Sequence, residues 1–146
     1  MKNVLIIGCG LIGSSILRAI FSKKISRNIY VYEKEKKNIL IIKKLKTKCK
    51  IINGFNNVPN NFDLIIFCTP MSEYKNVIKK IRICISNKTI VTDVGSTKEL
   101  SSKEVGNLLN KNKIWIPSHP IAGSEVSGAK HGDKNLFKNK WCVLIK

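Results

Sequence analysis

Asn3-Val-Leu-Ile-Ile-Gly-Cys-Gly-Leu-Ile-Gly13 is the stretch on which the fold turns. From Asn3 to Ile7 the chain is an apolar run that ends in glycine, as a strand buried on both faces requires. Gly8, Gly10 and Gly13 then follow at the spacing of a dinucleotide fingerprint. Leu11 to Phe21 shows helical periodicity, with Leu11, Ile12, Ile16, Leu17 and Ile20 on one broad face. A glycine turn between a strand and a helix gives each glycine a task. Gly8 permits the tight turn, Gly10 lets backbone approach a pyrophosphate, and Gly13 lets the helix pack closely on the sheet. The first helical turn, with Leu11 and Ile12, offers unpaired N–H groups and a positive dipole to the phosphates.

Outward from this start, strands and helices alternate. Asn28–Tyr32 reads as the second strand, and Lys36–Lys46 as a lysine-rich helix with Ile39, Ile42 and Leu45 inward. Cys49–Ile52 is the third strand, Asn53–Asn61 a turn region, and Asp63–Phe67 the fourth strand, stopped by Cys68-Thr-Pro70. Met71–Ile85 predicts a helix with Val77, Ile78, Ile81 and Ile85 inward, and Thr89–Val94 the fifth strand. Thr97–Asn110 follows as a helix, Ile114–Ile116 as the sixth strand, then a loop-rich stretch and a last sheet strand, Trp141–Ile145. This alternation predicts a single α/β domain over 1–146, a doubly wound, mostly parallel Rossmann sheet with right-handed crossovers.

Composition narrows the class. The chain of 146 residues is 43% hydrophobic, enough for an ordinary core. Its opening has one charge and an apolar run too short for a secretory signal, and no segment has membrane-spanning length, so the reading is cytoplasmic with no membrane partner. Five scattered cysteines, odd in number and without a Cys-x-x-Cys pair, suit a reduced compartment and indicate neither a metal nor a disulfide framework. The formal charge of +18 raises nucleic-acid binding as a possibility. The lysines are dispersed, aromatics are only 7%, and no nucleic-acid motif accompanies them, so the charge reads as a solvated basic surface. Such a surface still concentrates an anionic cofactor and substrate.

Glu33, about 20 residues beyond the fingerprint, is placed to bond the ribose hydroxyls. A carboxylate there accepts from a 2′-hydroxyl and repels a 2′-phosphate, which favours NAD over NADP; Lys34 and Lys36 pull the other way. Thr69 and Pro70 either lie against the cofactor or simply end the strand. Two further segments converge on the carboxyl end of the sheet: Asp93-Val-Gly-Ser-Thr-Lys98, and Ser118-His-Pro-Ile-Ala-Gly-Ser-Glu-Val-Ser-Gly128. Gly95 allows a close turn at the nicotinamide. Ser96 caps the next helix, reaches His119, or does both. His119 follows the apolar run Lys113–Pro117 and precedes a Gly/Ser turn, which favours a base over a core histidine. His131, in a polar loop, reads as solvated. Together the motifs predict a nicotinamide enzyme that removes a hydroxyl proton while taking a hydride.

Gly95-Ser-Thr-Lys98 and His119-Pro-Ile-Ala-Gly-Ser-Glu125 resemble the Gly-Ser-Val-Lys and His-Pro-(Met/Ile)-Ala-Gly-(Thr/Ser)-Glu segments of the prephenate/arogenate dehydrogenase family, and the similarity runs from Gly8 to Trp141. The resemblance implies that His119 draws the proton from the ring 4-hydroxyl of prephenate and that Ser96 orients it. It also implies that Ser124 and Glu125 belong to the substrate mouth. The implied chemistry is NAD-dependent oxidative decarboxylation to 4-hydroxyphenylpyruvate, in tyrosine biosynthesis, with prephenate or arogenate as the small-molecule substrate. Family members continue into an all-helical domain that forms a homodimer and supplies an arginine for the substrate carboxylates. That domain is expected to be absent from this chain, as a fragment or a short natural product. Ser14 stands where relatives usually carry another glycine. Two readings stay open beside this one: a 3-hydroxyacid or pyrroline-carboxylate dehydrogenase, and a non-catalytic NAD-binding or redox-sensing domain.

Overall fold

In the computed structural model, which describes residues 1–56, 58–98, 105–109 and 112–145, strand β1 (Asn3–Ile7) lies at the centre of the sheet. Its five residues are all buried, because helices cover both faces. Helix α1 (Leu11–Ser22), β2 (Asn28–Tyr32), α2 (Lys36–Lys44), β3 (Lys50–Ile52), β4 (Leu64–Phe67), α3 (Tyr74–Ile81), β5 (Ile90–Asp93) and β6 (Ile114–Ile116) follow. The six strands are parallel in the order β3-β2-β1-β4-β5-β6, so the chain reverses direction across the sheet between β1 and β4. That reversal opens a crevice at the carboxyl ends of β1 and β4, where ligands bind in doubly wound folds. The predicted doubly wound parallel fold is the observed one.

Side chains alternate between two cores. Leu5, Ile7, Ile65, Phe67 and Val91 pack with Tyr74, Val77, Ile78 and Ile81 of α3 on one face. Val4, Ile6, Val31 and Ile66 pack with Leu17 and Ile20 of α1 and Ile42 of α2 on the other. Burying each such side chain is worth about 1.5–3 kcal/mol.

Several elements differ from the reading of the sequence, each for a local reason. The buried face of α1 is Gly13, Ser14, Ser15, Leu17 and Ile20 rather than the apolar set with Leu11, Ile12 and Ile16. The helix start lies too close to its neighbours for large side chains: a Cβ on Gly13 would sit 2.1 Å from the Gly8 carbonyl oxygen. Ser14 Oγ donates to Leu11 O at 3.2 Å, and Ser15 Oγ to Leu11 O at 2.7 Å, so the buried hydroxyls are satisfied. The expected helix Met71–Ile85 is divided into 3₁₀ turns at Met71–Glu73 and Arg82–Cys84 around α3. The tighter final turn rotates Cys84 into the core and leaves Ile83 exposed. Helix α2 ends at Lys44, and among its residues only Ile42 is buried. Of the helix expected over Thr97–Asn110, residues 105–108 are helical; 99–104 and 110 lie outside the described residues, as does Asn57 of the Asn53–Asn61 turn.

The largest departure is at the C-terminal end. Pro117 has no N–H to continue the parallel ladder, so the chain leaves the sheet after β6. Ser118–Pro120 forms its own strand, β7, antiparallel to β8 (Cys142–Leu144) in a separate two-stranded sheet. The last strand is thus not part of the main sheet, and Ser118–Pro120, which opens the histidine segment, is strand rather than loop. Among the described residues, no helix is long and apolar enough to cross a membrane.

Candidate functional site

The fingerprint turn is held from both sides. Gly8 adopts φ +83°, where a Cβ would also meet Thr69 and the Cys68 carbonyl within 3 Å. Its N–H donates to Tyr32 O at 2.8 Å, and Cys68 N–H donates to Ile7 O at 2.7 Å, tying β2, β1 and β4 together at their carboxyl ends. Gly10 differs from both other glycines: nothing lies within 4 Å of the place its Cβ would take. No side chain caps α1, so the amides of Leu11, Ile12 and Gly13 are left for an anion. Cys9 is fully buried in this turn, and burial, with Cys68 and Glu33 nearby, pushes its thiol well above the ordinary range. It remains neutral.

Glu33 ends β2 and closes the turn from the side. Its carboxylate accepts from the N–H of Cys9 at 2.7 Å, Lys34 at 2.7 Å and Glu35 at 2.9 Å, and from Asn38 Nδ2 at 3.3 Å. Four donors fill the acceptor positions of one carboxylate, so a ribose hydroxyl would share or displace one of these bonds. This clasp role of Glu33 was not legible in the sequence. Gly8, Glu33, Thr69 and Pro70, with Tyr32, Lys34 and Glu73, line a cleft of about 240 Å³. Thr69 Oγ1 is buried in its wall without a hydrogen-bond partner, and Pro70 also opens the turn Met71–Glu73. Lys34 Nζ is paired with Glu73 Oε2 at 2.8 Å, which raises the pKa of Lys34 and lowers that of Glu73. The open backbone at Gly10, the orphaned Thr69 hydroxyl and the uncapped helix suit an extended phosphate-bearing nucleotide. A larger hollow, about 490 Å³, lies over Arg18, Phe21 and Lys134 and contains none of the expected site residues.

Gly95 turns the chain just beyond β5, where a Cβ would press on Met71 Sδ at 2.8 Å and Asp93 Oδ2 at 3.0 Å. His119 sits half-buried in β7, its Nδ1 3.4 Å from the Val94 carbonyl oxygen. With the proton on Nδ1 donated to that carbonyl, Nε2 keeps its lone pair. Ser96 is exposed and makes no hydrogen bond to His119 among the described residues. Ser124 and Glu125 are exposed on the loop after β7, and His131 is exposed in a short 3₁₀ turn. The imidazole thus meets the carbonyl of the residue before Gly95, and among the described residues no hydrogen bond joins it to Ser96, Ser124 or Glu125.

Beneath His119 lies a buried polar cluster that sequence reasoning missed. Asp93 is fully buried and Lys98 nearly so, with Lys98 Nζ 2.6 Å from both Asp93 oxygens. Tyr74 Oη donates to Asp93 Oδ2 at 3.0 Å, and Ser118 N–H to Asp93 Oδ1 at 3.0 Å. Burial and the Asp93 charge push the Tyr74 phenol well up, so it stays a donor. The sequence signals were an aspartate closing the apolar strand β5 and the lysine that ends the segment Asp93–Lys98.

A 3-2-1-4-5-6 parallel sheet with a glycine turn, an uncapped helix and an acid ending β2 defines a dinucleotide-binding domain. Residues 16–146 match the family described as prephenate dehydrogenase, nucleotide-binding domain, and the chain belongs to that family. It is 33% identical to the prephenate dehydrogenase of Lactococcus lactis, over 100% of this chain and 41% of that protein. It is 29% identical to the cyclohexadienyl dehydrogenase of Zymomonas mobilis, over 98% of this chain and 48% of that one. The crystal structure of Aquifex aeolicus prephenate dehydrogenase with hydroxyphenyl propionate and NAD+ superposes with a TM-score of 0.88. It is 28% identical, and the match covers 100% of this chain and 51% of that one. The chain thus spans about half the length of the relatives it matches.

Proposed function

We propose that this domain binds NAD and serves an enzyme that oxidatively decarboxylates prephenate to 4-hydroxyphenylpyruvate in tyrosine biosynthesis. The observation that carries the reading is His119, its Nδ1 3.4 Å from the carbonyl oxygen of Val94, just beyond β5, the strand beside β4. The family membership and the NAD+ complex of the A. aeolicus relative support it. Gly8, Gly10 and the amides of Leu11, Ile12 and Gly13 hold the pyrophosphate, Glu33 the ribose, and Thr69, Pro70 and Gly95 flank the remainder. NAD supplies the hydride acceptor.

His119 Nε2 takes the proton of the ring hydroxyl as the carbinol carbon loses its hydride. The bond to the ring carboxylate breaks, CO₂ leaves, and its electron pair completes the aromatic ring, placing charge on the former hydroxyl oxygen. His119 returns its proton there. The ring thus loses a hydride and CO₂ with no net proton release, and aromatisation drives the step without a metal. Ser96, Ser124 and Glu125 form the substrate mouth in this reading, Ser96 reaching His119 once substrate is bound. The setting is cytoplasmic, with neither a membrane nor a nucleic acid as partner.

The test is turnover of the full-length gene product on prephenate and arogenate with NAD and NADP. His119→Asn should lower kcat about 10²–10⁴-fold, the usual contribution of a positioned base, and leave NADH affinity nearly unchanged. Wild-type turnover in His119→Asn refutes the base assignment; a preference for arogenate moves the substrate and leaves the site intact.

A further inference from the structure

The Asp93–Lys98 pair is costly to bury and takes no part in the chemistry above. What it touches is the residue before His119. Ser118 N–H donates to Asp93 Oδ1 at 3.0 Å, and Lys98 Nζ donates to Ser118 O at 2.5 Å. Ser118 Oγ donates to Asp93 O at 2.5 Å and accepts from Thr92 Oγ1 at 3.0 Å. Thus Ser118's N–H, carbonyl and hydroxyl all engage the end of β5 and the turn after it. Asp93 also accepts from Gly95 N–H at 3.2 Å and from Tyr74, so one carboxylate links α3, the glycine turn and β7.

These bonds join two separate sheets. Strand β7 belongs to the small antiparallel sheet, not the parallel one that holds the nucleotide. Two buried opposite charges hold a fixed separation better than exposed polar contacts, because neither can be released into water.

We propose that Asp93 and Lys98 are positioning residues for the reaction: they set the His119 imidazole relative to the nicotinamide position through the N–H, carbonyl and hydroxyl of Ser118 together. The proposal rests on His119 being the base. A base displaced by about 1 Å can cost on the order of 10²-fold in rate, so the clamp should appear in kcat and not in nucleotide affinity.

The test compares Lys98→Met and Ser118→Ala in the full-length enzyme, alone and combined with His119→Asn, by steady-state kinetics and NADH calorimetry. Lys98→Met should lose about 10²-fold in kcat, with NADH affinity and the KM for NAD within about twofold of wild type, and Lys98→Arg should recover part of that loss. Ser118→Ala, which leaves the buried charges paired, should lose several-fold, and it decides the matter if Lys98→Met does not fold. In the His119→Asn background neither substitution should lower kcat further, because their effect passes through the imidazole. Equal losses with and without His119, or unchanged kcat in folded Lys98→Met or Ser118→Ala, would overturn the proposal. If His119→Asn alone keeps full turnover, it is the base assignment that fails.

Discussion

At the scale of single residues, the three fingerprint glycines separate binding from folding. Gly10 has open space where a side chain would go, whereas Gly13 is pressed against the Gly8 carbonyl. Gly10→Val should therefore fold with nearly the wild-type melting temperature and lose NADH binding, since its branched side chain fills the pyrophosphate position. Gly13→Ala should cost about 1–3 kcal/mol of stability, the usual size of an overpacking penalty, before binding is considered. Calorimetry and thermal melts on both variants check the contrast; a Gly10→Val domain that binds NADH as wild type does would refute the phosphate assignment. Glu33 holds the Cys9 amide and, in the proposed function, also faces the ribose. Glu33→Ser should weaken NADH binding several-fold, because a charged hydrogen bond is worth about 1.5–3 kcal/mol. It should also narrow the gap to NADPH by removing the charge nearest the 2′-phosphate. A wild-type domain that already prefers NADPH contradicts the assignment.

At the scale of elements, the edge of the sheet opposite the ligand crevice is tied by one carboxylate. Asp63, just before β4, accepts from the N–H of Lys2 at 2.5 Å and of Asn3 at 3.0 Å, and its own N–H donates to Asn3 O at 2.9 Å. The Asn3 and Lys2 amides lower its pKa below the ordinary carboxylate value. A depressed folded-state pKa gives stability that is present above the unfolded value and is lost as pH falls through the folded one. Asp63→Asn should thus melt lower than wild type at neutral pH, and the gap should close in acid, below the ordinary aspartate range. A gap that is constant with pH contradicts this. Elements were legible in the sequence where their environment matched their pattern. Strands β1, β2 and β4 are apolar because helices cover both faces, and their bounds needed little correction. The face of α1 was misread because close approach selects Gly13, Ser14 and Ser15 over larger apolar residues. Strand β7 was invisible because Ser118-His-Pro120 has no apolar period, and its partner β8 is exposed. The Asp93–Lys98 pair was beyond reach for a different reason: two charges among many in the sequence become special only when the fold buries them together.

At the scale of the whole molecule, charge is distributed in two opposed ways. The chain carries +18 overall, yet three of its nine acids, Glu33, Glu35 and Glu73, line the nucleotide cleft. The long-range field should draw in any anion, and the local acids then disfavour an additional phosphate at the ribose. These two effects act on different steps of binding. Attraction at a distance speeds association, whereas contacts made in the cleft govern dissociation. Salt separates them, because the screening length shrinks from about 30 Å at 0.01 M to about 8 Å at 0.15 M. Stopped-flow measurements should accordingly show NADH association slowing several-fold over that range while dissociation changes little. NADPH should associate as fast as NADH or faster at low salt, and leave more quickly at every salt concentration. Salt-independent association would show that the basic surface plays no part in capturing the nucleotide, and equal dissociation rates for the two cofactors would remove the acidic cleft as the source of selectivity.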